Sequence, residues 1–131
     1  MSENVELDQE LVQTVTKLID DGCNFRVEEL QDAYARDLQT VMIQPKNQTV
    51  RFDYDQNMAF FKAGREKGSK PIKTDVEIVV ADVHDGLGFV VGTRTMEPGG
   101  GRFKSVFNLM LRKNEEGKWQ VFREQAIIAR K

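Results

Sequence analysis

The stretch RFKSVFNLMLRKNEEGKWQVFREQAII, Arg102–Ile128, decides the fold. It reads as two long strands, Phe103 to Lys113 and Trp119 to Ile128, joined by a tight turn over Asn114 to Lys118. In the first strand the odd positions Phe103, Phe107, Leu109 and Leu111 are apolar and only Ser105 is polar. The even positions are Val106, Asn108, Met110 and Arg112. Successive strand side chains point to opposite faces. If the turn has two or four residues, these even positions share a face with the odd positions of the second strand. That groups Asn108 with Arg123 and Gln125, beside Val106, Met110, Val121 and Ile127. Buried polar groups need partners, and a guanidinium with two amides in an apolar cup can orient an anionic or carbonyl-bearing ligand. Two other readings stand beside this one: Arg123 pairs with an acid such as Asp75 or Glu77, or it lies in a dimer interface. Glu124 falls on the opposite face with Phe122 and Ala126. If that face is the inner one, Glu124 is the best lone carboxylate.

Upstream, Leu7, Leu11, Val15, Leu18 and Ile19 form one stripe of an amphipathic helix, with Gly22 as its stop. A second helix is expected from about Arg26 to Arg36, burying Leu30, Ala33 and Tyr34. The period then changes. Leu38 to Ile43 favours a strand, Pro45 stops it, and Lys46-Asn47-Gln48 turns the chain into a short strand, Thr49 to Phe52. Asp53 with Gln56 three residues on makes a variant capping box for a third helix packed through Met58, Phe60 and Phe61, fading at Gly64 to Gly68. Lys73 to Val83 and Leu87 to Met96 flank Asp85-Gly86, a strong type I′ hairpin signal. A looser loop, Glu97 to Gly101, leads into the final hairpin.

Helices segregated beside antiparallel strands define an α+β class in one domain spanning residues 1–131. Val76, Ile78 and Val80 line one side of their strand, and Val79, Ala81 and Val83 the other. A sheet with one wet face alternates more cleanly. Both faces are therefore expected to be covered, one by the three helices and the other by a second copy in a homodimer.

Several function classes are disfavoured. A net charge of −2 and a pI of about 5.5 do not fit a nucleic-acid binder. The local run Lys62, Arg65, Lys67, Lys70 and Lys73 reads as a solvated helix end and loop. The single Cys23 makes an intrachain disulfide impossible, and as a thiol just past a helix C-terminus it reads as a small packing residue. The N-terminal residues Met1 to Glu10 have neither signal- nor transit-peptide character, and no apolar run approaches the ~18 residues of a membrane span, so a cytoplasmic protein is expected. With one histidine, one cysteine and no carboxylates clustered at ligand spacing, neither metal nor cofactor is expected. His84, followed by Asp85, sits at a predicted turn tip and reads as solvent-exposed. Gly99-Gly100-Gly101 lacks the lysine of a phosphate loop.

Three stretches carry a resemblance: Leu30-Gln-Asp-Ala-Tyr-Ala-Arg-Asp-Leu38, the helix Asp53 to Phe61, and Glu116-Gly-Lys-Trp-Gln-Val-Phe122. Together they resemble the nuclear transport factor 2-like, or SnoaL-like, domains with a cystatin-like fold. The resemblance spans about Leu7 to Ile128 and rests on packing and turn signals. It implies a cone in which three helices close over a curved antiparallel sheet around an apolar pocket. Members include ketosteroid isomerases, polyketide cyclases, dehydratases, non-catalytic transport factors and kinase association domains, so fold alone does not choose a function. Isomerase chemistry needs a carboxylate base just before the proline that ends the first strand and a tyrosine in the first helix. Here those positions hold Gln44 and Val15, which disfavours it. The family tends to place polar pocket groups at the last-strand positions of Arg123 and Gln125. Arg94 matches a pocket arginine of the kinase association domains. Tyr34 is expected either at the pocket mouth or as core with a satisfied hydroxyl.

The expected ligand-binding set is therefore Arg123, Gln125, Asn108, Arg94 and Tyr34, with no catalytic set. The expected function is binding of a small, partly apolar molecule, anions included, by a homodimer. The alternative is a self-association or accessory module working through its sheet face.

Overall fold

A computed structural model describes residues 6–97 and 101–130. The elements run α1 (Gln9–Cys23), α2 (Val27–Ala33), β1 (Tyr34–Gln44), a single 3₁₀ turn (Pro45–Asn47), β2 (Gln48–Asp53), α3 (Tyr54–Glu66), β3 (Lys73–His84), β4 (Leu87–Glu97), β5 (Phe103–Lys113) and β6 (Trp119–Arg130). Local chemistry sets most of the boundaries. Asp8 caps α1 by accepting from Leu11 N at 3.0 Å. Asp53 Oδ1 accepts from Gln56 N at 2.8 Å, and Gln56 Oε1 accepts from Asp53 N at 2.9 Å, so the capping box of α3 is complete. Asp85 and Gly86 have φ of 50° and 78°, as a type I′ turn requires. Of the loop expected over Glu97 to Gly101, residues 98–100 lie outside the described residues.

The six strands form one curved, open sheet in the order β2-β1-β6-β5-β4-β3. The final hairpin, β5 and β6, lies at its centre. The sheet is not wholly antiparallel as expected, because β1 runs parallel to β6. That pairing also shortens the second helix. Tyr34 pairs with Val121, and from Tyr34 onward the chain is strand, where helix was expected to Arg36. Sheet pairing outweighs the weak helical preference of so short a segment.

All three helices pack on one face. α1 lies against β3 and β4, α2 against β6 and β1, and α3 against β1 and β2. The core between the layers contains Leu11, Val15, Leu30, Leu38, Val90 and Leu111. The opposite face exposes Val106, Ile127, Phe89 and Ile43, at 47%, 57%, 38% and 37% relative accessibility.

Two β-bulges correct the expected faces. In β3, Ile78 pairs with Gly92 but Val80 with Val91, leaving Val79 as a surplus residue. Beyond it the alternation flips, so Ala81 is buried opposite Val90 rather than sharing the outer side with Val79. In β6, Met110 pairs with Arg123 but Leu111 with Val121, leaving Phe122 as the surplus residue. Val121 is therefore buried on the helix-covered face, separated from Arg123 and Gln125, with which it was expected to group.

Candidate functional site

Between the helices and the sheet lies a cavity of about 420 Å³. Its floor includes Phe107 and Leu109 of β5 and Ala126 of β6, and its roof Leu18 of α1 and Phe61 of α3. Into this apolar space project a few polar side chains from separate elements: Glu124 of β6, Tyr34 at the start of β1, Asn57 of α3, Arg94 of β4 and Cys23 at the end of α1. A larger open groove of about 610 Å³ runs past α2 and α3. Its charged residues Asp32, Arg36, Asp55 and Lys62 are all exposed, so nothing there demands a ligand.

The inner residues of β6 are set by the bulge. Beyond Phe122, the even positions Glu124, Ala126 and Ile128 face the cavity. Glu124 makes no salt bridge among the described residues. Desolvation raises its pKa above the ordinary 4.5, with the Arg94 charge pulling weakly the other way. Tyr34, 5% exposed, has its ring stacked near Phe61 at 6.4 Å. Burial pushes the Tyr34 phenol far up, the neighbouring Glu124 adds to this, and the Asn57 side chain and Arg94 oppose it. Asn57 is 7% exposed; its side chain lies close enough to the Tyr34 phenol to lower that group's pKa, but its Nδ2 makes no hydrogen bond of full geometry among the described residues. The three groups make a polar corner in an apolar cavity: a carboxyl shifted toward its neutral form, a phenol, and an amide with an unused donor.

Arg94 donates from Nε to Thr74 Oγ1 at 3.3 Å and from Nη2 to Cys23 Sγ at 3.4 Å, and pairs with no carboxylate among the described residues. Burial raises the Cys23 thiol against the opposing influence of Arg94, so it sits in its neutral form, an unreactive wall.

The structure thus brings two of the five expected residues, Arg94 and Tyr34, to the cavity. Arg123, Gln125 and Asn108 lie together on the opposite face of the sheet, with Asn108 paired across to Gln125. There Arg123 Nη1 donates to the backbone oxygens of Asp37 at 3.0 Å and Phe122 at 2.6 Å, and its guanidinium lies over the Phe122 ring. It is not ion-paired to Asp75 or Glu77. Sequence reasoning had Glu124 only as a second choice, and it missed Asn57. A signal for Asn57 was available, since Tyr54, Asn57, Met58 and Phe61 form an i, i+3, i+4, i+7 stripe that places the amide on the buried face of α3. His84 lies exposed beside the hairpin turn, bonded through Nε2 to Asp82 at 2.8 Å rather than to Asp85. Gln44 and Val15 sit on the cavity wall and in the core respectively, so neither supplies the acid or the phenol of an isomerase site.

The raised carboxyl makes a pH-dependent prediction. A folded-state pKa above the unfolded value means that folding favours proton uptake. The associated stability is present below the ordinary carboxylate range and is lost as pH rises through the folded value. Glu124→Gln removes the titration. The variant is expected to melt higher than wild type near pH 8, with the gap closing toward pH 4 in thermal melts across that range. A gap that widens on acidification would mean that Glu124 is ionised and stabilised in the fold.

The elements and their order place the chain in the class of nuclear transport factor 2-like, cystatin-like α+β folds. Solved structures of this class superpose over nearly the whole chain. An NTF-2-like protein of unknown function from Pseudomonas aeruginosa matches with TM-score 0.69 at 12% identity, covering 92% of this chain and 97% of that one. A ketosteroid isomerase-like protein from Erwinia carotovora atroseptica matches with TM-score 0.67 at 16% identity, covering 96% and 98%. A cystatin-like-fold protein of unknown function from Nostoc punctiforme matches with TM-score 0.67 at 14% identity, covering 95% and 96%. At these identities the likeness is one of fold. No protein-family model and no curated protein matches the sequence.

Proposed function

We propose that the chain is a ligand-binding domain. In this reading the helices and curved sheet form a cone whose cavity takes a small, mostly apolar molecule through an oxygen held by Glu124, Tyr34 and Asn57. The observation that carries this is Asn57 Nδ2, buried beside the Tyr34 phenol in a cavity of about 420 Å³ otherwise walled mainly by carbon, with no hydrogen bond of full geometry among the described residues. An unmet buried donor is costly, and a ligand oxygen would meet it. A carboxyl accepts from a hydroxyl, and when protonated it also donates to a carbonyl. Binding without turnover is sufficient to account for these groups.

A homodimer paired through the outer sheet face is part of the proposal. Val106, Ile127, Phe89 and Ile43 are too exposed for a face finished by the monomer alone, and the same patch favours self-association as the second reading. Native mass spectrometry on protein purified without added ligand tests both. The expected species is a dimer carrying a small-molecule adduct that is lost in Asn57→Leu. Higher oligomers without adduct would transfer support to the self-association reading, and an empty monomer would remove both.

A further inference from the structure

The cavity wall is polar in two separate places. On β5, Ser105 pairs with Arg94 and Leu109 pairs with Glu124. Three residues of strand lie between them, about 13 Å between backbones, and the Arg94 charge still reaches Glu124 and Tyr34 across the cavity. Between the two lie Phe107 and Ala126, with Phe61 above. Arg94 is a half-buried guanidinium whose side-chain partners are a hydroxyl and a thiol, with no carboxylate paired to it among the described residues. Charged groups so placed are normally paired.

One further cation stands on the cavity face near Arg94: Arg130 pairs with the wall residue Phe103, and its guanidinium lies 5.5 Å from that ring centre. Asp20 lies close enough to the Cys23 thiol to raise its pKa.

We infer that the ligand is an oxygenated carboxylic acid bound in one polarity, its carboxylate on Arg94 and a hydroxyl or carbonyl oxygen at Asn57, Tyr34 and Glu124. This rests on the reading of the cavity as a ligand site. The guanidinium fork matches a carboxylate with two parallel N–H donors. The apolar stretch between the two polar places takes the carbon chain, and the unused Asn57 Nδ2 takes the distal oxygen.

Isothermal titration with matched straight-chain series of six to twelve carbons tests this: ω-hydroxy acids, plain fatty acids, n-alkanols and α,ω-diols. The ω-hydroxy acid of best length is expected to bind at least about tenfold tighter than the matching diol, the scale of one charge-assisted hydrogen bond. It is also expected to exceed the plain acid. Arg94→Gln brings the acids down to the neutral compounds and leaves the alkanols unchanged, while Arg94→Lys keeps part of the preference. Asn57→Ser removes the advantage of the hydroxy acid over the plain acid and leaves acids ahead of alkanols. Thermal melts of each variant check that the fold survives, and raised ionic strength slows association of the acids only.

Equal binding of hydroxy acids and diols, or binding of neutral compounds alone, would overturn the acid assignment while leaving the ligand cavity standing. No binding by any of the four series would remove both.

Discussion

Phe107→Ala costs the protein about 3–5 kcal/mol of stability, the usual range for truncating a buried aromatic side chain. The ring sits at the centre of the molecule. β5 is one of the two middle strands of six, and Phe107 is 4% exposed on its helix-covered face. It pairs across to Ala126 on one side and Gly92 on the other, two small residues that leave the space the ring occupies. Deleting it merges the void with the existing cavity, so neighbouring side chains cannot collapse to fill it. Urea denaturation measures the loss as a lower midpoint at unchanged slope. Phe60→Ala is the internal comparison. Phe60 is 55% exposed and meets the Phe61 ring edge-on at 5.3 Å, so its truncation should cost only about 1 kcal/mol. If the two variants lose similar amounts, Phe107 is not the keystone of the sheet's inner face.

Gly92→Val is the second large effect, and its cause is crowding rather than a void. A Cβ built on Gly92 would lie 2.7 Å from the backbone oxygen of Glu77 and 2.7 Å from Phe107 Cζ. The ring can tilt, but Glu77 belongs to the neighbouring strand β3, one residue before Ile78, where the bulge begins. A valine here pushes on both the central aromatic and the edge strand, and overpacking of this kind costs about 1–3 kcal/mol or more. The two sites are coupled, so their effects should not add. In the Gly92→Ala, Phe107→Leu pair, the smaller side chain gives the new methyl room. The double variant is expected to be more stable than the sum of the single losses predicts. Strict additivity would place the whole strain at Glu77, on the backbone of β3.

Much of this architecture is legible in the sequence because its signals are local. The Asp53–Gln56 capping box, the Asp85-Gly86 turn, the limits of β5 and the start of β6 each depend on a few adjacent residues, and each is found where it was read; β6 runs on two residues past Ile128, to Arg130. Signals that depend on pairing partners are not legible. Tyr34 to Arg36 carries a helical pattern, yet parallel pairing with β6 makes it strand. The bulges at Val79 and Phe122 have no residue signature, and each reverses every side chain beyond it. This is why Arg123, Gln125 and Asn108 read as a cluster, which they are, while the side on which they cluster stayed open. Arg94 reaches the cavity from a stretch of β4 whose pairing with β5 is regular, and Tyr34 from the first residue of β1, ahead of that strand's own register shift. Asn57 was readable from its helical stripe, whereas Glu124 needed the bulge to be known.

The surplus residue in β6 therefore acts as an address. Strand residues beyond Phe122 keep Glu124 inward only while the bulge stays there. Shift the extra residue past Glu124, with no change of composition, and Arg123 turns inward while the acid turns out. The electrical character of the cavity wall is thus written in the position of one irregularity. Descendants of this chain could exchange an acidic interior for a basic one by a paired insertion and deletion of single codons, with every catalogued side chain still present.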